Sequence, residues 1–332
     1  MAEVAFEKFA LALEATRGTA VTPPTVIVPL EGAITPTGEY YRPAESRGVL
    51  AAVTRSARVR EAAEWSAEGG LDVRFMPIVG NMGLQVVTSP TTPGGGTNSR
   101  LWTFVRSMTT NALKTATLYG GDPNVQVWQA AFALLQEIVI AADGTGTDGT
   151  TLSLSGVAAF PVQVSAPTYP AFAVAGVLSP MDFQVWLDTS SAIGTTALAG
   201  RVLSVTHTIP TGLTPKYIPA GPGGSRTISR AGVARTNPVT RVVMELVDDA
   251  QMTLFEDETA VKLRVRHNGP LIEGSLYEYV EVDGYGYLDF ASWGDFEGTN
   301  RTVEFELVHQ YDATLGSDIR VAVQNTLTAL PS

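Results

Sequence analysis

The sequence predicts a mainly β protein with two tandem antiparallel β-sandwich or barrel domains, each carrying one short flanking α-helix. A long stretch near the start of the chain recurs near its middle. Short segments rich in β-branched residues alternate with Gly- and Pro-rich turns, which is typical of antiparallel sheets. One segment in each half has the spacing of a helix rather than of a strand.

The recurring stretch runs from Phe9 to Ala44 and again from Phe183 to Ala220. The first pairs share a separation of 174 residues and the last ones a separation two residues longer: Phe9 with Phe183, Leu13 with Leu187, Glu14 with Asp188, Pro36-Thr37-Gly38 with Pro210-Thr211-Gly212, Tyr41 with Tyr217, and Pro43-Ala44 with Pro219-Ala220. A separation close to half the chain length indicates a duplicated domain. Two β-rich halves could also look alike by composition, but Pro-Thr-Gly and Tyr-x-Pro-Ala are not generic strand sequences.

We therefore expect a first domain at residues 1–164, a linker from Ser165 to Pro170, and a second domain at residues 171–332. A chain of 332 residues is long enough for two domains that bury cores of their own. The helical segments are Met76 to Val86 and Asp248 to Ala260. We expect Glu31 to Arg47 to be an extended arm or loop, and Ala51 to Phe75 to be a strand pair with a charged outer face.

Composition excludes several classes of protein. Cysteine is absent, so the chain has no disulfide, thiolate metal site or thiol nucleophile. The net charge of −11 argues against tight binding of nucleic acid through phosphates. The first residues lack the basic region of a signal peptide, and the longest apolar run, Ala130 to Leu135, is too short for a membrane span. We expect synthesis in the cytoplasm and no membrane association.

No motif indicates catalysis. The turn from Asp143 to Gly149 resembles a calcium loop in composition, but Thr145 and Thr147 occupy ligand positions, so a hairpin turn is the better interpretation. The histidines, His207, His267 and His309, lack metal-ligand spacing. The acidic run Glu256-Asp257-Glu258 is typical of a solvated helix end. We expect no catalytic, cofactor-binding or metal-binding residue, and no enzyme.

Arginines recur in both halves, at Arg47, Arg55, Arg58, Arg60, Arg226, Arg230, Arg235 and Arg241. Acidic residues are mixed among them and no aromatic run accompanies them, which disfavours a nucleic-acid interface. Ion pairs between subunits are our preferred interpretation, and a solvated surface is the alternative.

A likeness to a known family rests on Glu14-Ala15-Thr16-Arg17-Gly18-Thr19 after the first strand, on the Pro-rich spacing that follows, and on the strand, turn and return strand from Lys114 to Ala159. This pattern resembles the tail tube proteins, or major tail proteins, of long-tailed bacteriophages. The resemblance implies a β-sandwich with a flanking helix, stacked rings forming a hollow tube, and a place in the virion. It departs from simpler members by its doubling.

What the resemblance implies for partners follows from the doubling. If a ring needs six tube domains, three chains suffice, with a homohexamer as the alternative. Tape measure, tail tip and tail terminator proteins would be further partners, and double-stranded DNA would pass without specific binding. Segments Ala33 to Arg47, Ser89 to Ser99 and Leu213 to Arg226 would bridge rings. The alternative functions are a secreted or surface β-sandwich module for binding or assembly, and a hydrolase on a β scaffold.

Overall fold

The computed structural model of the protein describes residues 7–45, 53, 55–106, 109, 113–171, 176–179, 181–190, 192–218, 226–297 and 300–331. Strands hold 55% of the chain and helices 5%, so the mainly β prediction is confirmed. The strands form one sixteen-stranded sheet and a separate two-stranded ribbon.

The elements of the first half are β1 (Lys8–Leu13), β2 (Val26–Ile27), β3 (Glu31–Tyr41), β4 (Ala57–Gly70), α1 (Met76–Gly83), β5 (Arg100–Val105), β6 (Ala116–Asp122), β7 (Gln126–Asp143), β8 (Thr151–Ala158) and β9 (Val162–Val164). Those of the second half are β10 (Phe183–Asp188), β11 (Val202–Pro210), β12 (Leu213–Lys216), β13 (Arg230–Val233), β14 (Val239–Glu245), α2 (Ala250–Glu256), β15 (Ala260–Glu273), β16 (Leu276–Glu297), β17 (Asn300–His309) and β18 (Ile319–Asn325). Both helices lie where the sequence predicts them.

The two halves repeat one pattern of antiparallel pairing. In the first half the pairs are β1–β6, β6–β7, β7–β8, β8–β4, β4–β3 and β7–β9. In the second half they are β10–β15, β15–β16, β16–β17, β17–β14, β14–β11 and β16–β18. The corresponding strands and helices also follow the same order along the chain. The repeated sequence thus matches a repeated topology, whereas the boundaries at residues 164 and 171 stay a prediction.

One long strand in each half changes its pairing partner along its length. The strand β7 has 18 residues and pairs first with β6 and then with β8, and β16 has 22 residues and pairs with β15 and then β17. In β7 the partner changes between Ala133 and Leu134, just after Phe132, whose φ of 55° lies in the left-handed region. The Glu14 carboxylate accepts a hydrogen bond of 2.8 Å from the Phe132 backbone N–H and thereby stabilises this bend.

Hydrophobic packing does not divide the protein into two separate cores. The largest buried cluster combines Trp65 and Leu135 of the first half with Val280 and Val321 of the second. A smaller buried cluster consists of Val242 and other residues of the second half. The helix α1 is buried along its whole length and lies between the halves, so the large cluster holds them together.

Two segments differ from their predicted form. The stretch predicted as an arm is largely a regular strand, β3, and the predicted strand pair is one long strand, β4, which pairs with β3 from end to end. Pro36 misled the prediction because proline is disfavoured inside sheets, yet an edge strand tolerates it. The tip of the predicted arm, residues 46–47, lies outside the described residues.

The alignment of the two Pro-Thr-Gly motifs is wrong by one residue. Pro36 lies opposite Ala63, which faces the core, whereas Pro210 lies opposite Glu137 on the other face of the sheet. A shift of one residue moves a side chain to the opposite face of a strand. The counterpart of Pro36 is therefore Ile209, which shares the core-facing side. Pro219 and Ala220, also part of that alignment, lie outside the described residues.

Candidate assembly interface

Eight strands form a continuous antiparallel sheet across both halves, in the order β3-β4-β8-β7-β11-β14-β17-β16. Each half contributes four of them. One row of residues, each directly opposite the next, crosses all eight strands: Glu31, Glu68, Ser153, Val139, Thr208, Val239, Val308 and Tyr287. The sheet is therefore unbroken where one half meets the other.

The halves meet by pairing of β7 with β11, which we call the internal joint. Ile138 lies opposite Ile209, and Ile140 lies opposite His207. These four side chains are at most 1% exposed. The joint thus combines backbone hydrogen bonds with a row of fully buried side chains.

Both ends of the eight-stranded sheet are open in the part of the chain that the structure describes. The strand β3 pairs with β4 along one edge alone, and the other edge has no strand beside it. The strand β16 pairs with β15 as far as Tyr287, and beyond that residue the same edge is unpaired. An open edge exposes backbone donors and acceptors and is a template for pairing with another chain.

The two free edges correspond to the two sides of the internal joint. Ala67 of β4 corresponds to Val242 of β14, because each is the third residue before its strand ends ahead of a helix. Ala67 lies opposite Gly32 of β3, and Val242 lies opposite Val205 of β11. The free edge of β3 therefore corresponds to the side of the joint that β11 provides.

The strand partners on the opposite side of β4 and β14 identify the counterpart of the other side of the joint, which β7 provides. Ala67 lies opposite Leu154, and Val242 lies opposite Phe305. These residues lie in turn opposite Ile138 and Phe290, respectively. Phe290 on the free edge of β16 is therefore the counterpart of Ile138 in the joint.

The helices agree with this correspondence. A Cβ added to Gly83 of α1 would lie 2.8 Å from Ile138, and Phe255 of α2 lies with its ring centroid 6.2 Å from that of Phe290. Each helix thus packs beside the corresponding residue of its own half.

Residues of the internal joint and of the free edges differ in how far they are buried. Leu152 precedes Leu154 by two residues and lies opposite Ile140. In the second half, Val303 precedes Phe305 by two residues and lies opposite Trp293. Trp293 is therefore the counterpart of Ile140. Ile140 is 0% exposed, whereas its counterpart Trp293 is 43% exposed. A large aromatic side chain on an open sheet edge loses the burial that a neighbouring strand would provide.

The face of the sheet that points away from the core is acidic. Along the eight strands, residues on this face alternate with buried ones and include nine carboxylates: Glu31, Glu64, Glu68, Glu137, Asp143, Glu245, Asp289, Glu304 and Glu306. Many of the other positions are Ser, Thr, Ala or Val. Arg241 also lies there, 2.6 Å from Glu304 and 3.2 Å from Glu306. We call this surface the acidic face.

A cavity of about 910 Å³ lies beside the free edge of β3, lined by Phe9, Gly32 and Ala33 among others. At the corresponding place in the second half, the turn after β7 lies against β11. The Gly144 N–H donates to the Leu203 carbonyl at 2.7 Å, and a Cβ on Gly144 would lie 3.4 Å from Phe183. Phe183 corresponds to Phe9. The cavity beside Phe9 is therefore empty at the place where, in the second half, the turn after β7 packs beside Phe183.

Four of the predicted arginines, Arg55, Arg58, Arg60 and Arg241, form ion pairs on their own chain. Arg55 lies 2.6 Å from Glu45, Arg58 lies 3.1 Å from Glu61, and Arg60 lies 2.8 Å from Glu39. Such exposed pairs contribute little stability. Ion pairing between subunits stays a prediction, and Arg47 lies outside the described residues.

The three histidines lie close together in the structure, which their spacing in the sequence does not predict. They lie on β11, β15 and β17 in the core of the second half. The Thr240 hydroxyl lies 2.8 Å from His207 Nδ1 and 2.7 Å from His309 Nε2, and the rings of His207 and His267 meet edge to face at 5.7 Å. Burial lowers the pKa of His267 and of His309 to about 4, and that of His207 well below its ordinary value. All three are neutral at pH 7.

The predicted acidic turn is a hairpin turn. The Asp143 carboxylate accepts from the Thr145 N–H at 2.9 Å and from its hydroxyl at 2.7 Å, which lowers the pKa of Asp143. Within the described ranges there is no group of three or more histidine or acidic side chains arranged to hold a metal ion.

The described parts of the predicted bridging segments contact other residues of the same chain. Glu273 accepts backbone hydrogen bonds of 2.8 Å from Thr97, Asn98 and Ser99. The strand β12 begins at Leu213, which packs into a buried cluster with Phe132 of the first half.

The sequence matches no protein-family model and no curated protein. Over the described residues, no helix has the length and apolar character that a membrane span needs. Function is therefore inferred from the repeated fold, its open edges and its acidic face.

Proposed function

We propose that this chain is a structural virion protein whose rings stack into the hollow tail tube of a long-tailed bacteriophage, through which DNA passes to the host. Three molecules would close one ring. Each free edge of β16 would pair with the free edge of β3 on the next molecule, as β7 pairs with β11 within one.

The observation that carries this proposal is the internal joint. The contact between the two halves has a defined register and full burial, and under this proposal it is one copy of the contact between tube units. Repeating it places Phe290 of one molecule opposite Pro36 of the next, and Trp293 opposite Ile34. A contact between different surfaces of identical molecules gives closed rings or open filaments.

The dimensions suit a tube that holds duplex DNA. Three molecules with eight strands each would form a closed wall of 24 strands. At about 4.8 Å per strand, its circumference would be about 115 Å and its diameter about 37 Å between backbones. Closing the wall would also cover both open edges of the eight-stranded sheet.

The acidic face supports a passage for DNA when it lines the inside of that wall. Carboxylates repel the phosphates of DNA, so the duplex would slide without binding. The core and both helices would lie outside the wall, because they pack on the opposite face of the sheet.

Electron microscopy of the purified full-length chain tests the proposal. The wild-type protein should form rings or tubes, and Ile34→Pro, which places a second proline on the free edge of β3, should prevent them. Val125→Lys is the matched control, because Val125 is 80% exposed in the turn between β6 and β7. Persistent monomers of wild-type protein, even with added tail components, would contradict the proposal.

A further inference from the structure

We infer that the outer ends of β3 and β4 form a clamp, with Tyr40 of one molecule packed against Tyr287 of its neighbour in the ring. We call the paired segments Thr37–Tyr41 and Ala57–Ala62 the β3–β4 ribbon. The partner is a second copy of this chain. The inference rests on the proposed function and identifies a contact beyond the paired edges.

The template for the clamp is the ribbon formed by β12 and β13. After β11, the chain turns at Gly212, with a φ of 75°, and the ribbon folds onto the first half. There Leu213 joins a buried cluster with Phe132 and Leu134 of β7. The Gln136 side chain also donates to the Leu213 carbonyl at 3.1 Å. The internal joint is thus flanked by a second contact, in which a ribbon covers β7.

Tyr40 holds the position of Leu213 in the repeated topology. Leu213 follows Val205 by eight residues, and Tyr40 follows the counterpart Gly32 by eight residues. Leu213 also lies opposite Val233 within its ribbon, as Tyr40 lies opposite Arg58. The β3–β4 ribbon is therefore the counterpart of the ribbon that covers β7.

Tyr287 holds the position of Leu134. Leu134 lies opposite Val157, three residues after Leu154, and Tyr287 lies opposite Val308, three residues after Phe305. Both side chains project from the same face of their sheet. A ribbon that repeats the internal contact between molecules would therefore place Tyr40 on Tyr287.

Exposure indicates that the contact is unfilled within one molecule. Leu213 and Leu134 are 2% and 1% exposed, whereas Tyr40 and Tyr287 are 43% and 40% exposed. Tyrosine is enriched in protein interfaces because it buries a large apolar ring and keeps a polar end. Two half-exposed tyrosines at equivalent places on complementary surfaces fit a contact between copies.

Tyr40 is also held in place before any partner arrives. Arg58 donates to its hydroxyl at 2.9 Å, and the guanidinium lies 5.4 Å from the ring centroid. Arg58 is itself 3.1 Å from Glu61. A side chain that is ordered in advance loses less entropy on binding. The described part of the predicted bridging arm thus serves the contact within a ring.

Cross-linking tests the clamp, and the absence of cysteine from the wild type removes background reaction. The full-length double variant Tyr40→Cys with Tyr287→Cys, assembled and treated with a short bis-maleimide, should give covalent dimers and trimers. The matched control is Tyr41→Cys with Tyr287→Cys, because the adjacent Tyr41 is 64% exposed and points to the other face of the ribbon. Equal cross-linking of both variants, or none in rings that form normally, would overturn the clamp.

A second measurement applies if the cysteine variants do not assemble. Tyr40→Ala and Tyr287→Ala should each raise the protein concentration needed for half-maximal assembly about tenfold, and the double variant little further, since each removes the same contact. Additive effects, or no effect, would overturn the clamp while leaving the ring intact. Failure of the wild type to assemble would instead contradict the proposed function.

Discussion

Glu14, which follows β1, and Asp188, the last residue of β10, occupy equivalent positions, and each buried carboxylate closes the loop that follows its strand. Glu14 accepts from the Gly18 N–H at 2.6 Å and from the Thr117 hydroxyl at 3.0 Å. Asp188 accepts from the Gly194 N–H at 2.7 Å and the Thr196 N–H at 2.8 Å. The alignment of these two residues in the sequence therefore reflects one structural role, preserved in both halves.

Replacing Glu14 by Ala should destabilise the fold by about 2–4 kcal/mol, because it leaves several buried donors unpaired, including the Phe132 N–H at the bend of β7. Urea denaturation measures the loss. Glu31→Ala is the control, since Glu31 is exposed on the acidic face, and it should change stability by less than about 0.5 kcal/mol. Equal effects of the two variants would contradict the role of Glu14.

The buried histidines should make the second half sensitive to acid. Burial lowers the pKa of His267 to about 4, below the ordinary value of about 6.5 that holds in the unfolded chain. Between these values the unfolded state binds the proton and the folded state does not, so stability falls as pH drops from 6.5 towards 4. The melting temperature of His267→Leu should therefore fall less than that of wild type between pH 7 and pH 5. Parallel curves would contradict this prediction.

Glu273 should hold the loop after α1 down to low pH. Hydrogen bonds from the Ser99 N–H and the Thr97 hydroxyl lower the pKa of Glu273 to about 2. The contact is thus fully present above the ordinary glutamate pKa and is lost as pH falls towards 2. Glu273→Gln should speed hydrogen exchange at Thr97, Asn98 and Ser99 at neutral pH. Glu245→Gln, on the acidic face, should leave exchange at these three amides unchanged.

The strand β5 should matter for stability, although the described residues of the second half contain no counterpart of it. It pairs with β18, and its Phe104 is 0% exposed in the cluster shared by both halves. Phe104→Ala should cost about 3–5 kcal/mol because it leaves a cavity beside α1. Thermal denaturation would show it, and a change below about 1 kcal/mol would contradict the packing described.

Much of the fold could be predicted from the sequence because period and turn chemistry are local signals. These signals predict the turn after Asp143, the positions of both helices and the correspondence of Phe9 with Phe183 in the repeated sequence. The alignment of the β3 sequence with the β11 sequence could not be predicted correctly, because matching Pro36 to Pro210 ignores which face of the strand each side chain occupies. The histidine cluster could not either, since His207, His267 and His309 lie on strands that are distant in sequence.

The open edges and the acidic face were beyond sequence reasoning for a related reason. Whether Trp293 is covered depends on which strand lies beside β16, and strand neighbours are set by long-range topology. The carboxylates of the acidic face, such as Glu68 and Glu306, are scattered along the chain and converge on one surface through the alternation of eight strands. The net charge of −11 is compatible with an acidic surface but does not say which strands carry it.

The internal joint changes how a ring of the proposed kind would assemble. A peptide linkage keeps β7 and β11 at high effective concentration, so every second seam forms during folding and does not depend on protein concentration. In a ring of three molecules, only three contacts would form between separate molecules, and fewer independent bodies would lose translational freedom. Because the two linked halves differ, β5 and the histidine cluster would recur at alternate positions around such a ring and would give its circumference threefold rather than sixfold character.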